Sequence, residues 1–133
     1  MSPITVVDNE FGSLVYHPDK KIIHHTFHQP IGGDSFRSLL SSGIELLKQN
    51  NAEKWLSDDR ENAALSPEDT EWGQSQWFPQ AKAAGWKYWG LVVPADMMAR
   101  MNMAEFVFNY SQQGVRTQVF TDLDKALRWL ESV

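Results

Sequence analysis

From Ile22 to the C-terminus the apolar residues switch repeatedly between the two-residue rhythm of a strand and the three-to-four-residue rhythm of a helix. That alternation constrains the fold more than any single motif does. Residues 87–93, KYWGLVV, are apolar on both faces, as expected of a central strand in a sheet covered on both sides, and Pro94 ends the run. Residues 54–58 and 115–121 read as two further strands. Before the first of these, Phe36, Leu39, Leu40, Ile44 and Leu47 recur at helical spacing, as do Leu123, Ala126, Leu127 and Leu130 near the end. Strands at residues 4–7, 14–17 and 22–27, the last two joined by the turn Pro18-Asp19-Lys20-Lys21, make an antiparallel opening. The order β-β-β-α-β-α-β-α-β-α predicts an α/β fold. Its sheet is mixed, mainly parallel through right-handed crossovers, with an antiparallel N-terminal edge and four main helices. At 133 residues, the expectation is one domain over residues 1–133.

Helix boundaries are written in the capping residues. Gly32-Gly33-Asp34-Ser35 breaks the third strand and offers a cap for the first helix. Ser66-Pro67-Glu68-Asp69 combines a Ser cap, Pro at the first helical position and acids in the first turn, announcing the second. Trp72, Trp77, Ala81 and Ala84 continue it, and Pro79 is expected to kink or divide it. Asp96 caps a long third helix that Gly114 stops.

Charge and composition exclude several functions. Twelve Lys and Arg against seventeen Asp and Glu give a net charge of -5, which disfavours nucleic acid, and the basic residues are scattered. With no cysteine, disulfides, thiolate catalysis and Cys-based zinc sites are excluded. No stretch is apolar over membrane length, and the first dozen residues lack the basic start and apolar core of a secretory signal. A cytosolic protein is expected.

The order of elements, with the runs Lys21-Ile22-Ile23-His24-His25-Thr26-Phe27, Trp55-Leu56-Ser57-Asp58-Asp59-Arg60, Leu65-Ser66-Pro67-Glu68-Asp69-Thr70-Glu71-Trp72 and Gly85-Trp86-Lys87-Tyr88-Trp89, resembles a family of small bacterial STAS-like proteins. These are similar in fold to anti-sigma-factor antagonists of the SpoIIAA type. The resemblance spans about Leu14 to Leu130 and implies a STAS-like module. Signalling members of the wider superfamily carry an Asp-Ser-Ser-Gly-type motif whose Ser is phosphorylated at a helix start. Here the matching place reads Ala64-Leu65-Ser66-Pro67, with Ser66 at the helix start but without that motif.

Four groups of residues merit attention as sites. Asp58, Asp59 and Arg60 follow a strand's C-terminal end, where open α/β sheets bind ligands; the plainer reading is that the trio makes loop-fixing hydrogen bonds and ion pairs. Ser66 is a candidate phosphosite, although its role as an N-cap is sufficient reason for its presence, and Glu68 and Asp69 stand close to any phosphate placed there. His24 and His28 share a strand face but stand roughly 13 Å apart, too far to share an ion, and His25 faces the other way, so no metal site is expected. Met97, Met98, Met101, Met103, Phe106, Phe108 and Tyr110 give the long helix more apolar area than one buried stripe needs. Of these, Met97, Met98, Met101 and Phe108 are the candidates for a partner or dimer contact.

Enzyme signatures are sparse. Gly73-Gln74-Ser75-Gln76-Trp77 lacks the final Gly of a nucleophile elbow, and no phosphate-cradling Gly-rich loop follows a strand. The expected function is a non-catalytic regulatory or protein-interaction module with an unknown partner and no cofactor. The rival expectation is a carrier of a small apolar, lipid-like ligand, implied by the similarity of STAS-like sheets to SEC14-type domains.

Overall fold

A computed structural model describes residues 2–133. Six strands, β1 (Ile4–Asp8), β2 (Gly12–His17), β3 (Ile22–Phe27), β4 (Lys54–Asp58), β5 (Tyr88–Val92) and β6 (Arg116–Phe120), lie in one sheet in simple sequence order. β1, β2 and β3 form an antiparallel meander, and β3 to β6 run parallel. The α/β mixed sheet with its antiparallel N-terminal edge is therefore as expected.

Consecutive strand order dictates where the helices go. Each right-handed crossover steps in the same direction, so α1 (Gly33–Asn50), the segment α2 (Pro67–Trp72) to α3 (Phe78–Ala83), and α4 (Met97–Gln112) all cover one face. Only α5 (Leu123–Ser132), which follows the last strand, is left for the other face. Two apolar cores result. The larger gathers Ile23, Phe27, Leu47, Trp55, Trp77, Trp89 and Phe106 under α1, α3 and α4. The smaller holds Ile22, Leu56, Val92, Ala126 and Leu130 under α5. The two-residue strand period thus sends Trp55 and Ser57 of β4 to one layer and Leu56 and Asp58 to the other.

Local chemistry sets the helix ends. Ser66 accepts a bond from the Asp69 backbone N–H at 3.1 Å, Asp96 caps α4 through the Ala99 N–H at 2.9 Å, and Gly114 takes φ of +102° behind α4. Pro79 acts as expected by dividing a helix. The turn before it, Gly73–Trp77, widens to a π-helix, which accommodates a ring that would otherwise meet the carbonyl four residues back. The start of α1 differs from expectation. Gly32 occupies the cap position without a side-chain bond, and the Gly33 N–H instead donates to Asp69 of α2 at 2.9 Å. Asp69 also accepts from Arg37 Nε at 3.2 Å, so one buried carboxylate ties the starts of two helices together. Among the described residues no helix is long and apolar enough to cross a membrane.

Candidate functional site

The larger core is not completely filled. Beneath α1, α3 and α4 lies a cavity of about 40 Å³ lined by the aromatic rings of Trp55, Trp77, Trp86, Trp89 and Tyr110, among others. Its polar wall comes from His25 on β3, Ser57 on β4, and Asp59 and Asn62 just beyond β4. These positions follow from the sheet register. His25 sits opposite Ser57, and Trp55 opposite Trp89, so four side chains on three neighbouring strands point into the same layer.

Each polar side chain of that wall has at least one partner. His25 Nε2 lies 2.7 Å from Asp59 Oδ1, and the Trp55 indole N–H donates to His25 Nδ1 at 2.9 Å. An indole N–H only donates, so Nδ1 must accept and the imidazole proton must sit on Nε2, pointing at the carboxylate. His25 is thereby fixed as a neutral ring. The Trp89 indole N–H donates to Ser57 Oγ at 2.8 Å, and Asn62 Oδ1 accepts from the Ile31 and Ala63 N–H groups. Ser57, His25 and Asp59 have the composition of a nucleophilic triad, yet the chemistry is withheld: the one lone pair His25 could offer a serine is taken by Trp55.

Asp58, the residue before Asp59, faces the α5 layer. Its carboxylate receives Arg60 Nε at 2.9 Å and Nη2 at 2.7 Å in a bidentate pair. Burial pushes the Asp58 carboxyl up, but the Arg60 hydrogen bonds and charge outweigh it and hold the group below the usual carboxylate range. On the same face His17 and His24 stack, with Nε2 of the former 3.1 Å from Nδ1 of the latter. Burial first, then the neighbouring His17, lowers His24 to about 4. Among the described residues no three His, Cys, Asp or Glu side chains converge as a metal site.

The trio singled out in the sequence is therefore split. Asp58 and Arg60 pair with each other on one face, while Asp59 enters the cavity on the other. Ser66 is exposed and engaged as the α2 cap. Met97, Met98, Met101 and Phe108 project outward from α4, each at least 60% exposed, while Ala99, Met103, Phe106 and Tyr110 form its buried stripe. His25, Trp55, Ser57 and Trp89 were not foreseen as site residues. One signal for His25 is present in the sequence, because the strand period places it in line with Ile23 and Phe27 on a buried face, where a titratable ring needs a partner.

No family model, no curated protein and no solved structure matches the chain.

Proposed function

We propose that the chain is a cytosolic, STAS-like binding module without catalysis of its own, and that its working element is the aromatic cavity, which takes a small molecule. The observation that carries this reading is Asp59. A carboxylate 3% exposed, with a neutral imidazole as its side-chain partner, is expensive to keep in an apolar core, and an aromatic wall of the same volume could be filled by a hydrocarbon side chain instead. Strongly polar groups converging on an apolar pocket are the usual mark of a ligand site. Size sets the scale of the ligand: about 40 Å³ is room for roughly three waters, far below the several hundred Å³ that drug-sized or lipid-like molecules occupy. A ligand of a few heavy atoms is favoured over a SEC14-type lipid.

A second reading, docking of a protein partner or a second copy of the chain, draws on the outward Met97, Met98, Met101 and Phe108, the last of which lines an apolar groove between α4 and the edge strand β6. Native mass spectrometry of protein taken directly from its host separates the two. A retained small molecule, lost on denaturation, is the expected result. A retained protein partner or homodimer with nothing in the cavity would contradict the first reading and favour the second.

A further inference from the structure

The walls of the cavity also restrict the charge of what enters it. Each of the four tryptophans that line it has its one polar hydrogen already committed inside the protein. Trp55 donates to His25, Trp77 to the Leu40 carbonyl, Trp86 to the Tyr88 carbonyl and Trp89 to Ser57. The Tyr110 hydroxyl likewise donates to the Gly73 carbonyl at 2.8 Å. The edges that attract anions are therefore spent, and what the rings offer the cavity is the electron-rich character of their π-systems.

Among the described residues that line the cavity, Asp59 alone carries a formal charge, since no Lys or Arg is among them. Arg60 is engaged by Asp58 and Arg37 by Asp69. His25 cannot become a compensating cation without turning a second N–H toward the Trp55 indole N–H. Asp59 Oδ1 takes the His25 bond, whereas Oδ2 receives none from the described residues. Among the described residues no fully buried side-chain oxygen or nitrogen lacks a partner, so Oδ2 must look into open volume, and Asp59 lines the cavity.

We infer that the ligand is a small organic cation, an alkylammonium head with an N–H for Asp59 Oδ2 and methyl or methylene groups for the rings. This rests on the reading of the cavity as a ligand site and gives it a chemistry. Electron-rich rings around a carboxylate favour a desolvated ammonium by cation–π attraction and direct charge pairing at once. A head of about three or four heavy atoms matches the volume.

The test uses two probes with the same four-atom branched skeleton, trimethylammonium and 2-propanol, titrated into the full chain while the indole N–H resonances of Trp55 and Trp89 are followed by NMR. Trimethylammonium should shift both resonances saturably, at least ten-fold more tightly than 2-propanol. Asp59→Asn, which keeps an acceptor for His25, should abolish that preference while leaving the folded spectrum intact. Asp58→Asn, removing a charge on the opposite face, should leave it unchanged. Equal binding of both probes, or undiminished trimethylammonium binding by Asp59→Asn, would overturn the cation inference and leave the cavity reading standing. Failure of both probes to move the two indoles would overturn both the cation inference and the cavity reading.

Discussion

Asp58 and Asp59 are chain neighbours, both 3% exposed, and both at the end of the same strand, yet their surroundings are opposite. Asp58 turns toward α5 and meets a guanidinium that reaches solvent, so its charge is matched and its role is to brace the loop that follows β4. Asp59 turns toward α1 and α4 and meets a neutral imidazole inside an aromatic wall. The difference teaches that burial of an acid is by itself uninformative. What distinguishes a brace from a binding group is whether the protein supplies the opposite charge or leaves it to be supplied.

The contrast can be broken most violently through the scaffold of the Asp59 side. Gly43 of α1 lies so close to the Trp55 ring that a Cβ there would overlap its outer edge. Gly43→Ala must displace the indole that fixes His25, and the expected cost is about 3 kcal/mol by denaturant unfolding. It should also move the Trp55 and Trp89 indole resonances, while leaving the Asp58–Arg60 side unaltered.

The two acids themselves should respond with opposite signs. Arg60→Ala strands the Asp58 charge and is expected to cost about 1–3 kcal/mol, the lower end reflecting the half-exposed guanidinium. Asp59→Asn removes an uncompensated charge while preserving the bond to His25, and should leave the stability of the unliganded protein unchanged or raise it by up to about 1 kcal/mol, as at other sites where binding is kept at the expense of stability. Parallel urea curves would decide it, and a large loss for Asp59→Asn would remove the distinction.

A third comparison sets the titration of the α5 face against the fixed ring of the cavity. His24 is held at about 4 in the folded chain, below the ordinary value near 6.5, because burial disfavours its charged form. The unfolded chain therefore binds the extra proton first, so stability is full above about pH 6.5 and falls as pH drops toward 4, by at most about 3 kcal/mol. Replacing His24 by Gln should flatten that window. The smallest effect is expected at Ser66, where Ala removes one cap bond outside both acid sites for about 1 kcal/mol.

The architecture was legible because its signals are local. The apolar rhythm, Ser66-Pro67, Asp96 and Gly114 each act within a turn or two of themselves, and the mixed sheet follows from their order. The candidate site was half legible. Position after a parallel strand drew attention to residues 58–60, but which side each acid takes depends on strand phase at its last residue, and a one-residue shift exchanges the faces. The pairing of His25 with Asp59, 34 residues away, and of Trp89 with Ser57, 32 away, is set by register between strands that no local pattern encodes. The same holds for Asp69, whose carboxylate serves a helix start 36 residues earlier in place of the caps written beside it.

The central claim is that His25 is a neutral ring protonated at Nε2, held between an indole donor and the Asp59 carboxylate. Nitrogen-15 NMR of the histidine side chains at neutral pH reads that state directly. The structure predicts a protonated-type nitrogen at Nε2 and an unprotonated, hydrogen-bond-accepting one at Nδ1. An imidazolium, or a proton on Nδ1, would contradict it, because the cavity would then carry its own counter-charge or lose the Trp55 bond, and Asp59 would have no call for a cation.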